Sequence, residues 1–501
     1  MSPPVVVRQR QLLLIITGGL ALIATLFSWS LGSPPASGPD ERFHYGFIWC
    51  PDDSVSDSCL DVQDEGNGEL RVRYAVPDYG CFIGQPERPA KCSDGTDRSE
   101  SETVIVRGAY PAGYYSFASL FVTGDAEASV LRIRLVNSIL ASTMIAATVL
   151  LTSGRLRRAF IVATVLFLGP LHLSLLSSTH HQSWSIAALA TGWALILVVT
   201  DRGAGRRRWW SGGLWLVGLT IASSSRWEGG PYYVFLSALV VMPRMVSQFR
   251  RMRNGRVMVA AAVVFVVLTQ LPNWPFSIRR WLSGVNTTPL NAEGPDVITW
   301  LTSWLLHFPS VIAEIFGGGG MSTDDIPIPS LGPTLGPLLL GGVCAFALAA
   351  VNRVQIGTAV VQVAVILLSI LYFTNIELDL LTLPGRYVTP LVSALIGLLV
   401  YQSSAERQFT DYAFLRRAMV ASLVVFHALA LHSYVERFVV GSRPSVARLE
   451  LATESWWWDR VPFGPNQVIL IGSSFFAVFV YSLSRLLDTS SSKTRVGSIT
   501  Q

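Results

Sequence analysis

Asp40 and Glu41 stand side by side with His44 three residues on, and they fall just after the first apolar segment of the chain. A carboxylate at that position could take the proton from an acceptor hydroxyl as a general base. Arg132, Arg134, Arg226 and Arg386 lie near the ends of other apolar segments, where guanidinium groups could hold a donor phosphate through charge-assisted hydrogen bonds and stabilise it as a leaving group. His44, His180, His181, Glu228, Asp325 and Tyr387 complete a candidate set for binding phosphate or substrate. Taken singly, each is as well explained by a snorkelling interfacial charge or a local ion pair. Ionisable groups beside a bilayer are costly unless they pair or face water, and these acids, histidines and arginines are all expected on one side of the membrane. The chemistry that suits them is group transfer from a lipid-linked phosphate donor. No GxxxxGK[ST] and no GxGxxG after a strand is present, so a soluble nucleotide is not indicated.

The elements that must position these residues are membrane-spanning helices. Half of the 501 residues are apolar and only 14% are charged, against about 25% charged in soluble proteins. Apolar runs recur from Leu12 to Leu487, which excludes a soluble enzyme, a disordered scaffold and a small disulfide-rich secreted domain. The pattern predicts an all-α polytopic membrane protein of about twelve spans, near 12–31, 130–152, 159–178, 184–200, 211–226, 231–243, 257–274, 335–351, 357–374, 387–402, 417–434 and 466–487. With both termini inside, the inner segments hold 21 Lys and Arg against four acids, including the runs Arg206–Arg208 and Arg250–Arg256. That asymmetry fits a bacterial plasma-membrane protein by the positive-inside rule, and topology and lipid contact account for the basic clusters without any nucleic acid. Residues 1–31 read as an uncleaved anchor, since the apolar stretch is longer than a signal-peptide core. Residues 130–487 form the helical domain and 488–501 a disordered tail.

Residues 32–129 differ from the rest, with 17 Asp and Glu against seven Lys and Arg. Four of the five cysteines, Cys50, Cys59, Cys81 and Cys92, fall here, which predicts an outer loop domain with two disulfides. Three pairings are open, and the local one, Cys50 with Cys59 and Cys81 with Cys92, is preferred. Residues 69–76 alternate like a strand, 61–68 are turn-rich, and Tyr110 to Tyr115 leads back toward the membrane. Two further outer stretches, 296–316 and 432–466 with Trp456–Trp458, are expected to lie in the interface.

Several short elements occur in an order that resembles a membrane-protein family catalogued as domain of unknown function two-one-four-two, in its actinobacterial form. They are Pro39-Asp40-Glu41-Arg42-Phe43-His44, the bracket from Cys81 to Cys92, Tyr110-Pro111-Ala112-Gly113-Tyr114-Tyr115 before Arg132 and Arg134, Arg226-Trp227-Glu228-Gly229, and Gly385-Arg386-Tyr387-Val388-Thr389-Pro390. Ala112 replaces a proline of the family pattern, and around Asp325 only the Asp and Pro329 are kept. The family in turn looks related to type C glycosyltransferases, which use polyprenyl-phosphate sugars at the outer face. That likeness implies a GT-C-like architecture with Asp40 or Glu41 as base, and direct displacement with inversion. A divalent metal (Mg, Mn or Ca) serves some relatives, and Asp40, Glu41 and His44 could ligate one.

The expected function is therefore transfer of a sugar, arabinofuranose or mannose, from a polyprenyl-phosphate donor to a glycan, lipid or protein acceptor of the cell envelope. Two alternatives stand beside it: a transporter or flippase for a lipid-linked substrate, and a non-enzymatic partner in an envelope complex. The sequence contains no convincing internal repeat, which weighs against the transporter.

Overall fold

In the computed structural model, the described residues are 5–249 apart from 39, 52–54, 67, 77–79, 84, 93–99 and 228, together with 385–403, 413–441, 451 and 456–496. The first long helix, α1 (Val5–Leu31), is apolar through most of its length, as a helix that crosses a membrane must be. It packs between α4 (Ala126–Leu151) and the last helix, here α12 (Pro465–Val496), which in turn packs on α11 (Ala413–Val440). A second group joins α7 (Gln182–Val199), α8 (Arg206–Ser225), α9 (Gly229–Phe249) and α10 (Gly385–Ser403), with α5 (Gly154–Phe167) against α10. α7 sits at the centre of that group and is the most enclosed of the apolar helices, and α4 packs on it and so joins the two groups.

Among the described residues, five helices are long and apolar enough to cross a membrane: Gln9–Leu31, Ala126–Leu151, Gln182–Val199, Arg416–Val440 and Pro465–Leu487. The third expected span, 159–178, is not one straight helix. α5 ends at Phe167, and α6 (Pro170–Leu176) leaves it at 91°, giving a sixth crossing only if the bent pair is counted as one. The break falls at Gly169-Pro170, where proline lacks an amide for the ladder and its ring disfavours helical backbone just before it. Gly229–Val241 and Ser393–Gln402 are shorter apolar helices at expected positions. The expected spans 257–274, 335–351 and 357–374, and the interfacial stretch 296–316, lie outside the described residues.

Three helix boundaries differ from the sequence expectation. α4 begins at Ala126 because Asp125 is its N-cap and accepts the amide of Ala128 at 3.1 Å. Arg132 and Arg134 therefore sit inside the second and third turns instead of opening the helix. α11 runs on to Val440, so residues 432–440 of the expected interfacial stretch 432–466 belong to a spanning helix. His180 and His181 precede α7, in the turn after α6, and do not cap a straight third span.

The segment between α1 and α4 is a small domain of mixed structure, so the chain is not purely helical. It opens with α2 (Glu41–Trp49) and carries an antiparallel sheet of order β1-β2-β3, namely Cys59–Gly66, Glu69–Tyr74 and Ser101–Val106. β2 is the alternating strand expected there, with Leu70, Val72 and Tyr74 buried. β1 occupies residues expected to be turn-rich. Its acidic residues point outward, and backbone pairing with β2 decides its conformation. α2 lies across the sheet at Gly46, where a Cβ would come within 2.6 Å of Thr103 Cγ2 and 2.8 Å of Ile105 Cγ2. The local disulfide Cys50–Cys59 ties the end of α2 to the start of β1. Cys81 is disulfide-bonded as well, while the side chain of Cys92 lies outside the described residues.

Arg437, buried near the end of α11, fastens the far side of this domain to the helices. Its guanidinium donates to the carbonyls of Arg88 at 2.7 Å, Phe82 at 3.1 Å and Gln85 at 3.2 Å. A short helix, α3 (Ala112–Ser119), closes the domain and leads into α4.

Candidate functional site

A helix ends with carbonyl groups that have no partner of its own. At the end of α1 the Ser30 carbonyl, together with two from the segment just beyond the helix, is met by Arg134 from α4. Its guanidinium donates to Ser30 O at 2.7 Å, Ser33 O at 2.9 Å and Pro34 O at 2.9 Å, and to Glu41 Oε2 at 2.9 Å. The indole of Trp458 donates to Leu31 O at 2.8 Å, and the same ring lies beneath the guanidinium, 5.8 Å from its centroid. The positive charge also suits the negative end of the α1 dipole.

Glu41 completes the arrangement from the first turn of α2. Both of its oxygens are occupied: Oε2 accepts Arg134 and the amide of Gly38 at 3.1 Å, while Oε1 accepts the amide of Thr179 at 2.8 Å and its hydroxyl at 2.5 Å. The pair itself is fully enclosed. Burial acts to raise the Glu41 carboxyl, but the Arg134 charge and the hydrogen bonds from Thr179 and Arg134 outweigh it and hold the group below its ordinary value. Glu41 is thus an anchor that pins α2 to the α6–α7 turn and to α4.

Asp40, one residue earlier, is exposed, and it starts α2 in the left-handed backbone region at φ 53° without capping the helix through its side chain. A non-glycine residue there is uncommon, although Asp tolerates it better than most.

One turn into α2, Glu41 and His44 share a face, and His44 turns in toward the segment that Glu41 holds. His44, His180 and His181 are all buried (1%, 2% and 1% exposed) and meet ring to ring. The centroids are 4.5 Å apart for His44 with each of the others and 4.3 Å for the stacked pair His180 and His181. The Tyr115 hydroxyl is 2.9 Å from His44 Nδ1 and 3.4 Å from His181 Nδ1. His180 Nδ1 accepts the amide of Gln182 at the start of α7 at 3.0 Å.

The element Tyr110 to Tyr115 forms one wall. Tyr110 stands edge-on to His44 and tilted against His181, at 5.2 and 4.9 Å between centroids. Tyr114 donates to Thr179 O at 2.6 Å and accepts from Asn137, which also bonds Ser178 O and the indole of Trp184. Burial, then the neighbouring phenols Tyr110 and Tyr114, push the Tyr115 hydroxyl well above its ordinary value, with the charge of Arg226 acting the other way. Arg226 follows α8, and its neighbour Trp227 donates to Ala109 O at 3.0 Å, tying that corner to the tyrosine segment.

Of the residues singled out in the sequence, Glu41, Arg134, His44, His180, His181 and Arg226 are therefore brought together, with Asp40 at the edge. Arg132 is exposed and turned toward Thr123 Oγ1 at 3.3 Å. Glu228 and Asp325, and the side chains of Arg386 and Tyr387 at the start of α10, lie outside the described residues. Thr179 and Asn137 were not foreseen. Asn137 at least is a polar residue inside an apolar helix, which is a signal in itself.

Both oxygens of Glu41 are taken by protein donors, so it could serve Mg, Mn or Ca only by giving up part of that set. Among the described residues, the one group of three metal-ligating side chains whose donor atoms lie within 4.8 Å of one another is His44, His180 and His181.

Fold and site together define a polytopic helical membrane protein with a polar cluster roofed by a small disulfide-bonded domain. The chain belongs to the family described as Predicted membrane protein (DUF2142), whose pattern it matches over residues 23–395. No curated protein and no solved structure matches it.

Proposed function

We propose that the protein is a membrane glycosyltransferase that moves a sugar, arabinofuranose or mannose, from a polyprenyl-phosphate donor to a cell-envelope acceptor at the outer face of the bacterial plasma membrane. The observation that supports this reading is the pairing of an exposed acid with a buried anchor: Asp40 stands out at the start of α2 while Glu41 fixes that helix to two others. Asp40 takes the proton from the acceptor hydroxyl. The hydroxyl oxygen attacks the anomeric carbon, the bond from that carbon to the phosphate oxygen breaks, and polyprenyl phosphate leaves with the bonding electrons. Arg226 neutralises the leaving phosphate, and lipid-facing helices receive the polyprenyl chain. A fixed base on a fixed helix provides the alignment that displacement requires.

The test is transfer of radiolabel from polyprenyl-phosphate sugars into glycan by membranes holding equal amounts of wild type, Asp40→Asn or Arg226→Gln. Wild type is expected to transfer label, and Asp40→Asn to lose it by about 100-fold or more while remaining monodisperse. Label that reaches the glycan equally well with Asp40→Asn removes Asp40 as the base. Vesicle transport that survives both substitutions, with no new glycosidic bond, would replace the enzyme with a transporter.

A further inference from the structure

Three buried imidazoles in mutual contact need an account of their own. Each neutral ring brings one N–H and one lone pair out of water, and close packing of the three opposes protonation of more than one. They come from two segments far apart in sequence, α2 and the turn before α7. Those segments are held at the right separation by a single carboxylate: Glu41, three residues before His44, accepts both the amide and the hydroxyl of Thr179, the residue before His180. The histidines are thus set by a staple built outside the cluster, as a preorganised binding site requires.

We infer that His44, His180 and His181 form a binding site for one late first-row divalent metal ion of the zinc class. Imidazole nitrogen favours Zn²⁺ and its neighbours, whereas Mg²⁺ and Ca²⁺ take oxygen. Three histidines with a fourth position for water or an anionic oxygen is a familiar zinc arrangement. Tyr115 is the supporting group: when its oxygen accepts Nδ1–H of His44, the tautomer is fixed and the lone pair falls on Nε2. His180 differs, since its Nδ1 already accepts the Gln182 amide and the neutral ring then carries its proton on Nε2. Coordination by His180 displaces either that proton or that hydrogen bond, so it contributes less affinity than the other two. The inference goes beyond the glycosyltransferase reading and does not depend on it.

The experiment uses full-length protein in detergent, stripped with a chelator and titrated with Co²⁺ as a coloured probe, then with Zn²⁺ in competition. Wild type is expected to bind one equivalent with the visible ligand-field bands of a low-symmetry nitrogen site, to lose them to Zn²⁺, and to ignore Mg²⁺ and Ca²⁺. His44→Gln and His181→Gln are expected to weaken binding by about 100-fold or more, and Tyr115→Phe by about 10-fold. His180→Gln falls between wild type and those two. His432→Gln, a histidine beside Glu436 on α11 outside the cluster, leaves binding unchanged. Should His44→Gln fail to fold, His44→Cys keeps a zinc ligand at the same place and is expected to restore binding with a thiolate-to-cobalt band. Absence of the bands in wild type, or an unchanged affinity in folded His44→Gln and His181→Gln, would overturn the site and leave the histidines as packing. No sugar donor enters the measurement, so its outcome is separate from that of the transferase assay.

Discussion

Replacing Glu41 with Gln removes one charge and keeps the shape. Arg134 is then left as a buried cation, and removing one partner of such a pair costs about 3–5 kcal/mol. Arg134 keeps three carbonyl partners at 2.7–2.9 Å, which places the expected loss toward the lower end of that range. The new amide nitrogen meets the donors of Arg134 and Gly38 if it takes the place of Oε2 and the Thr179 amide if it takes that of Oε1, so it cannot reproduce the carboxylate. Arg134→Lys should fare no better, because one ammonium cannot reach the four acceptors that the planar fork spans. The assay is thermal unfolding of detergent-purified protein, with size exclusion as a check on aggregation. Both variants are expected to unfold several degrees below wild type. The pH dependence has a definite sign. The folded carboxyl of Glu41 titrates below its ordinary value of 4.5, so the unfolded chain binds the proton more readily. Its contribution is fully present above that ordinary value and is lost as pH falls through the lower folded value. Wild type should therefore lose its advantage over Glu41→Gln only in acid below pH 4.5. A Glu41→Gln protein that unfolds with wild type at neutral pH, or full rescue by Arg134→Lys, would refute this account of the anchor.

Three other outcomes follow from the loop domain. Reducing or replacing Cys50–Cys59, which closes a nine-residue separation, should destabilise that domain by about 2–3 kcal/mol, read as a lower temperature for a first unfolding step. Gly46→Ala should lower stability although alanine is the better helix former by about 1 kcal/mol, because the added methyl meets the stiff branched side chains of Thr103 and Ile105 and overpacking costs about 1–3 kcal/mol; equal or higher stability would count against the close packing of α2 on the sheet. Arg437→Met should take the side-chain donor from the carbonyl of Arg88 and one of two donors from those of Phe82 and Gln85, which keep the amides of Gln85 and Arg88, and make that loop open to protease in the folded protein, while α11 itself stays helical by hydrogen exchange.

Much of the architecture could be read from hydropathy, since a span needs only length and apolar content. What hydropathy cannot register is the direction of the chain. The run 159–178 is apolar throughout, yet Gly169-Pro170 turns it by 91°, and the signal was there in two residues that carry no weight in an apolar average. β1 escaped notice for the opposite reason: its composition is that of a turn, and its pairing with β2 is a tertiary fact. At the site, the residue types were visible but their grouping was not. Asp40, Glu41 and His44 are neighbours in sequence, and the natural reading gives them one task. In space Glu41 goes to Arg134, 93 residues away, His44 goes to His180 and His181, and Asp40 lies exposed, so three residues within five positions have three different surroundings. Arg437 could have been suspected as a basic residue in the last turn of an apolar helix, but its partners include carbonyls, which no side-chain pattern announces.

The closure of α1 also has a consequence for synthesis. Its terminal carbonyls are taken up by Arg134, made about a hundred residues later, and by Trp458, which is 427 residues away from the Leu31 carbonyl that it caps. The end of α1 is thus finished by residues from two distant parts of the sequence. A chain halted before residue 458 lacks the indole that meets the Leu31 carbonyl and the helix that packs along α1, although Arg134 is already in place. Closure of this end of α1 is therefore a contact that a chain truncated ahead of Trp458 cannot make, however well its earlier helices pack.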